Sequence, residues 1–442
     1  MNNEKNFFSS KYNIIEEMKE YIIIYNTMSG GMVKVNKRNA QEQLGIMINS
    51  ETLSSAVEVL SADDDYSKKL FRNSMIIDKN FDELALLKYF YYSNKYRKNN
   101  LAITINTGLT CNFACTYCYQ AEKSVKKALT KQRADSILKF IYEYVGNNST
   151  PGFSFIGGEP FSNLNILEYM VDSLIDRYGD VMFDVYTNGY TLNHRVLELL
   201  ERMKIKGLQI SVDGPKHYHD RKRIRRDGKG TYDRLIENIN TLTDRGIHTT
   251  IRCHIDRQFM DEVQLLPWIE SLKGDIKHLD ACSLYMAPIV ECGQGCTRVD
   301  HDVFTYIIES YKALIDNGIR IPLGVYFRPT TFGCAANSQW SININWDGKL
   351  YKCWHDLTSE NAIDERSMGD VENGFNVMKN IRYVSSFDPF DQECKTCIML
   401  PLCHGGCPEY RHSGYNKCTH LKDFYGEILS LYLQQVMGFE KK

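Results

Sequence analysis

Residues 107–120 read TGLTCNFACTYCYQ. They place Cys111, Cys115 and Cys118 in a C-x3-C-x2-C triplet directly after an alternating apolar stretch, Leu101 to Thr107, that reads as a strand. Three thiolates can hold three corners of a cubane [4Fe-4S] cluster and leave the fourth iron without a protein ligand, open to a small molecule. Structural zinc wants four protein ligands and paired C-x2-C knuckles, which a three-Cys loop does not supply. The triplet therefore sets the expectation of a reactive iron site at a strand end.

The 442 residues exceed one ordinary core and suggest two to three domains, and an apolar content of 43% can fill them. A formal charge of −2 gives no global attraction to nucleic acid or to anionic membrane. No apolar run approaches a membrane span, and the start, MNNEKNFFSSKYN, lacks the basic-then-apolar layout of a signal peptide, so a cytoplasmic location is expected. Fourteen cysteines in a large chain without an export signal argue for metal or cluster ligation in a reducing compartment. Their placement agrees: only Cys253 lies between Cys118 and Cys282, while seven crowd into Cys334 to Cys418.

Residues 18–95 read as a separate small domain. Tyr21 to Tyr25, the turn Met28-Ser29-Gly30-Gly31 and Met32 to Val35 form a β-hairpin pattern, followed by helical stretches ending in DELALLKYFYYSNKY. Tyr96 to Asn100 is polar and lacks periodicity, as a linker would. From Leu101 to about Gly318 strands and helices alternate, with strand candidates at 101–108, 152–158, 182–188, 207–213, 248–256 and 278–289. Six βα units with right-handed crossovers predict a parallel sheet closed into an incomplete, TIM-like (β/α)6 barrel. The remainder is Cys-rich and short of periodic segments until a helix near Leu421 to Val436, and is expected to depend on its clusters for folding.

The cysteine triplet, with aromatic Tyr117 just before its last member, resembles the signature of radical S-adenosylmethionine (radical SAM) enzymes, which share a partial barrel of this kind. Gly157-Gly158-Glu159-Pro160 ends the second strand, where glycines permit close backbone approach and a carboxylate suits an ammonium. By the resemblance, this segment holds the amino group of SAM. Thr187-Asn188-Gly189 and Ser211-Val212-Asp213-Gly214-Pro215 are turn sequences in their own right. The family's SAM contacts fall at these positions, with Ser211 a candidate for the SAM carboxylate or ribose. Seven Lys and Arg follow between Lys216 and Lys229, a run whose default reading is a solvated loop. Within it the family pattern H-D-x-x-R places Arg223 on the SAM carboxylate, a planar anion suited to a guanidinium fork, and leaves its basic neighbours surface or peptide-facing. Strand five, TTIRCHID, carries the family's Ile251-Arg252 pair, and Cys253 and His254 read as core or barrel-lining rather than ligating.

The later cysteines follow C-x13-G-x4-C over Cys334, Gly348 and Cys353, then Cys394-x2-Cys397-x5-Cys403-x3-Cys407 and, after ten residues, Cys418. This is similar to the seven-Cys pattern of the SPASM domain, which binds auxiliary [4Fe-4S] clusters and accompanies peptide-modifying radical SAM enzymes. The resemblance implies that Cys394, Cys397, Cys403 and Cys418 close an outer cluster, while Cys334, Cys353 and Cys407 hold an inner one. Two closed cubanes need eight ligands and the pattern offers seven, so either one iron is open to a substrate thiolate or Cys292 or Cys296, in IVECGQGCTRVD, completes the set. The N-terminal hairpin and helices likewise resemble the winged-helix element that takes up an extended leader peptide as an added strand, against the plainer reading of an arm packed on the barrel.

The expected architecture is thus α/β: a winged-helix-like peptide-recognition domain at 1–96, a radical SAM partial barrel at 97–321 and a SPASM domain at 322–442. It implies three [4Fe-4S] clusters, one binding SAM and two auxiliary, and a flavodoxin- or ferredoxin-like electron donor. The implied activity is a peptide maturase that cleaves SAM to a 5′-deoxyadenosyl radical, abstracts hydrogen from a ribosomally made precursor and forms Cys thioethers. Anaerobic sulfatase maturation is the nearest rival. Those enzymes start nearly at the cluster motif and carry an Asp immediately after the Cys matching Cys353, whereas about a hundred residues precede Cys111 here and that position is Trp354. His355 and Asp356 lie close enough in sequence to stand in as a base. Peptide epimerisation or carbon–carbon cross-linking would use the same scaffold. A non-catalytic, zinc-folded adaptor would need none of the GGEP and Arg223 constellation. Substituting Cys292 and Cys296 singly by Ser and counting iron separates the two ligand sets: unchanged auxiliary iron is expected for an open site, and loss in either variant assigns that Cys as the missing ligand.

Overall fold

The computed structural model describes residues 7–18, 20–36, 65–98, 100–118, 120, 127–146, 149–289, 301–330, 333–357, 364–391, 393–412, 418 and 421–437. An antiparallel sheet of β1 (Asn13–Glu17), β2 (Tyr21–Asn26) and β3 (Met32–Asn36) comes first, with β2 central. The expected hairpin is β2–β3, and β1 is an added strand that the sequence reading did not anticipate. The turn is set by Asn26, whose Oδ1 accepts from the backbone N–H groups of Met28 and Ser29, and by Gly30 at φ +71°. Helices α1 (Asp65–Arg72) and α2 (Glu83–Tyr96) follow, the latter capped by Asp82.

The barrel strands are β4 (Asn100–Asn106), β5 (Thr150–Ile156), β6 (Met182–Val185), β7 (Gly207–Ser211), β8 (His248–Ile255) and β9 (Cys282–Pro288). All six expected strands are present, each ending sooner than the sequence suggested because the turn residues that follow leave the ladder. They form two parallel arcs, β4–β5–β6 and β7–β8–β9, and among the described residues no ladder joins β6 to β7. Strand β8 shows the logic: Thr249, Ile251, Cys253 and Ile255 are buried toward the helices, while Thr250, Arg252 and His254 face the barrel interior, only half-buried. Outside lie α3 (Lys131–Val145), α4 (Leu164–Tyr178), α5 (His194–Arg202), α6 (Lys216–Lys222), α7 (Tyr232–Asp244), α8 (Leu265–Asp275) and α9 (His301–Asp316).

The C-terminal region departs from expectation. Its strand β10 (Ile342–Ile344) pairs parallel with β4, so that it extends the barrel sheet, and β11 (Leu350–Tyr351) pairs antiparallel with β10. The last helix, α10 (Leu421–Met437), buries Phe424, Ile428, Leu429, Leu431 and Leu433 in the main core. The segment after residue 322 therefore contributes apolar side chains to the main core, beyond any cluster. Ile14, Met18, Ile23 and Tyr25 of the first sheet join that same core, while Ile22, Ile24, Val33 and Val35 on its other face pack with Leu70, Met75 and Ile76 in a smaller one.

Helix α2 docks on the Cys-rich segment. Leu87 and Tyr91 pack with Phe387, Phe390 and Leu400, each such side chain contributing about 1.5–3 kcal/mol relative to exposure. Lys95, 1% exposed, donates its Nζ to the Phe387 carbonyl at 2.9 Å. The polar linker is short and held, the Trp340 indole donating to the Tyr96 carbonyl at 2.9 Å.

Candidate functional site

The loop that carries the cysteine triplet leaves β4 and lies directly on the end of β5. Gly158 N–H donates to the Gly108 carbonyl and Glu159 N–H to the Thr110 carbonyl, both at 2.9 Å. A Cβ on Gly158 would sit 2.6 Å from the Thr110 oxygen, and one on Gly157, at φ +152°, 2.7 Å from the Gly108 oxygen. The glycine pair is required by this contact. Glu159 is turned inward and 2% exposed, its carboxylate accepting from Phe161 N–H at 3.0 Å, Thr187 Oγ1 at 2.7 Å and Asn188 N–H at 2.7 Å. Burial pushes this carboxyl up and those three donors, with Arg223, oppose the shift. Asn188 in turn donates Nδ2 to Asn112 Oδ1 at 2.7 Å and lies 3.7 Å from Cys111 Sγ. Thr187, Asn188 and Glu159 thus fasten two strand ends to the cysteine loop.

The basic run after β7 is the loop's second support, and its backbone does the holding. Ala114 N–H donates to Ile224, Thr116 N–H to Lys222 and Arg226 N–H to Asn112, at 2.7, 3.0 and 3.1 Å. Its flanking charges are paired on the surface: Lys216 with Asp233, Lys222 with Asp256 and Arg225 with Asp227. Arg223 is different. It is 6% exposed, stacks 5.6 Å from the Phe113 ring, lies beside Cys115 and donates Nη1 to Tyr117 Oη at 2.8 Å, while its Nε is buried with no hydrogen-bond partner. An orphaned guanidinium donor beside the cysteine loop suits an anionic ligand, and a SAM carboxylate fits it.

Tyr117 Oη also meets Asp213 Oδ2 and stands 3.2 Å from His254 Nδ1. Asp213, 1% exposed, accepts at Oδ1 from both the backbone N–H and Nδ1 of His254 at 2.9 Å. Burial disfavours its charge, but the His254 ring, Arg223 and His219 outweigh this and hold the carboxyl well below the usual carboxylate range. Asp213 is therefore engaged in anchoring Tyr117, and Ser211 is the strand-end residue that remains half-buried on the barrel side. His219, fully buried, accepts at Nδ1 from Asp213 N–H at 3.0 Å and meets Thr231 Oγ1 at 2.9 Å through Nε2. The roles of His219, Thr231 and Asn112 were missed by sequence reasoning, whereas His254 lines the barrel as expected. The H-D-x-x-R pattern contained His219, but only the fold shows its partner.

In the C-terminal region Cys394, Cys397, Cys403 and Cys418 line one cavity with Met399, Leu400, Gly405 and Lys422. Arg411 donates Nη2 to Cys394 Sγ at 3.0 Å and Nη1 to Asp391 at 2.8 Å, a cation placed to balance thiolate charge. Cys334 lies near both Cys353 and Cys407. Thiolates around one zinc converge to within roughly 4 Å of each other. Among the described residues no three His, Cys, Asp or Glu side chains close on a single ion in that way. Cys292 and Cys296 lie outside the described residues.

The two base candidates part from the barrel. Asp356 pairs with Arg366 at 3.1 Å, and Arg366 is shared with Glu409 at 2.5 Å. His355 adjoins it on the turn Trp354–Leu357. The residue that reaches the barrel interior is Trp354, whose indole donates to Thr104 Oγ1 at 2.9 Å and meets the Tyr186 ring edge-on at 4.9 Å.

Residues 105–265 match the family described as Radical SAM superfamily. The chain is 24% identical over 358 residues to a serine-type anaerobic sulfatase-maturating enzyme of Bacteroides thetaiotaomicron, covering 69% of this chain and 82% of that one. It is 22% identical to the radical SAM cyclopropyl synthase TigE of Paramaledivibacter caminithermalis, covering 100% and 98%. In fold it resembles SuiB of Streptococcus suis bound to precursor peptide SuiA, with TM-score 0.51 at 15% identity over 93% of this chain and 99% of that one.

Two consequences can be measured. Gly158→Ala must displace the Thr110 backbone, so iron bound at the triplet after anaerobic reconstitution should fall while far-UV circular dichroism is retained; full iron loading would contradict the contact argument. His219 has its folded pKa depressed to about 4 by burial, against 6.5 unfolded. The unfolded chain therefore binds the extra proton first as pH falls, and stability present above pH 6.5 is lost by about 2 kcal/mol at pH 5. His219→Asn should lower Tm at pH 7 but flatten its decline between pH 7 and 5, and an unchanged decline would reject the assignment.

Proposed function

Because this chain is an enzyme of the Radical SAM superfamily, we propose that it matures a ribosomally made precursor peptide, forming Cys thioether cross-links. Cys111, Cys115 and Cys118 would hold the SAM-binding [4Fe-4S] cluster, and Arg223 with Ser211 would orient SAM. When bound, cluster and SAM supply the hydrogen-abstracting chemistry. The chain's own residues position and exclude. Tyr117, fixed by Asp213, His254 and Arg223, holds the cysteine loop rigid against the strand ends, and the β4–β9 arcs wall the reacting centre from water. Cys394, Cys397, Cys403 and Cys418 would hold the outer auxiliary cluster and Cys334, Cys353 and Cys407 the inner one, whose open iron would take a substrate thiolate. The leader of the precursor would lie along the β1–β2–β3 sheet, and a flavodoxin- or ferredoxin-like protein would deliver electrons.

The observation that carries the thioether reading is Trp354. An apolar indole enters the barrel at the position where sulfatase-type enzymes carry an acid, and Asp356 is held away by Arg366. Formylglycine formation is the second reading, favoured by the sulfatase-maturating relative over 69% of this chain. Anaerobic co-expression with a small Cys-bearing precursor peptide, followed by accurate mass and thiol alkylation, decides between them. The expected result is loss of two hydrogens per modified Cys, with that Cys protected from alkylation. An unchanged mass with alkylatable thiols, together with conversion of a sulfatase-derived peptide, would transfer the assignment to the second reading.

A further inference from the structure

Arg252 stands at the middle of a row that crosses the second arc. It is in register with Ser211 on β7 and Tyr285 on β9, so all three project to the barrel interior from neighbouring parallel strands. Tyr285 is fixed by donating its hydroxyl to Gln209 Oε1 at 2.7 Å, and its ring lies 5.9 Å from the Arg252 guanidinium. Arg252 itself is half-buried, its Nε is buried with no hydrogen-bond partner, and no carboxylate among the described residues forms an ion pair with it. Asp184, on the interior face of β6, does not reach it. Many arginines of the barrel are paired with carboxylates, among them Arg195 with Glu168, Arg202 with Asp172, Arg225 with Asp227 and Arg245 with Glu201.

The Nε of Arg252 is withdrawn from water without a counter-charge, which is costly, and a neutral carbonyl does not compensate it as an anion does. Its fork matches a carboxylate. We propose that Arg252, with Tyr285 beside it, is a carboxylate-binding subsite of the barrel interior that receives an acidic residue of the substrate peptide. Its chemistry is independent of the maturase reading, and its source rests on that reading. The other carboxylate able to reach the interior is that of SAM. Arg223 lies beside Cys115, whereas the neighbours of Arg252 are Tyr186, Tyr285 and His254, the last of which also meets Tyr117 of the cysteine loop.

The test is arginine-selective labelling of the anaerobically reconstituted full chain with phenylglyoxal, read at Arg252 by peptide mass spectrometry, which needs no turnover and no variant. The probes are SAM alone, then SAM with N-acetyl-glutamate N-methylamide, then SAM with the matching glutamine compound. SAM alone should leave Arg252 reactive, and the glutamate probe at about four times its Kd should slow labelling about fivefold, the glutamine compound having no effect. Protection by SAM alone would hand the subsite to the SAM carboxylate and overturn the proposal. Equal protection by glutamate and glutamine, or none by glutamate up to its solubility, would overturn it as well. If Arg252 is protected by glutamate while the co-expressed peptide is unchanged in mass, the subsite stands and the thioether reading falls.

Discussion

The closeness of one loop to three strand ends governs this site. Backbone from Gly108 to Cys118 lies so near the end of β5 that a single methyl at Gly158 would intrude to 2.6 Å on Thr110. That proximity lets short hydrogen bonds, rather than long side chains, set the position of the three thiols. Glu159 then fastens β5 to β6, and the Tyr117–Asp213–His254–Arg223 group fastens the loop to β7 and β8. The low dielectric of this network makes each missing partner expensive, so the loop has few alternative conformations to adopt. Preorganisation of the thiols is a consequence of packing in the strand ends.

Much of this was legible in sequence, and what failed to be legible failed for a common reason. Spacing rules are local, so the cysteine triplet, the glycine pair and the six barrel strands could be read directly. The destination of a buried side chain is not local. Glu159 and Asp213 sit at strand ends, and the partners that hold them, Asn188 and His254, lie far along the chain, where no spacing rule points to them. The same holds for β10, whose three residues carry no recognisable pattern but gain a ladder from β4. It holds too for β1, an edge strand whose existence depends on the face of β2 it covers. The four-and-three grouping of the C-terminal thiols came from the family resemblance rather than from spacing, and Arg411 against Cys394 came from neither.

The union of the three segments has an energetic reason. The first sheet and the Cys-rich segment each present too little apolar surface to stand alone, and each completes its burial against the barrel or against the other through Tyr91, Phe390 and Leu400. Ile14, Met18, Ile23 and Tyr25 tie the first sheet into the core of the barrel that carries the cysteine loop.

The barrel interior carries an unbalanced charge. The indole of Trp354, which follows Cys353, donates to Thr104 and meets the Tyr186 ring. Asp356, the nearest acid in sequence, is paired with Arg366 beside Cys353. The interior therefore keeps a cation, Arg252, whose balancing anion is not supplied by the described residues, with Tyr186 and Tyr285 beside it. An acidic group would gain a partner there, whereas a basic one would meet repulsion.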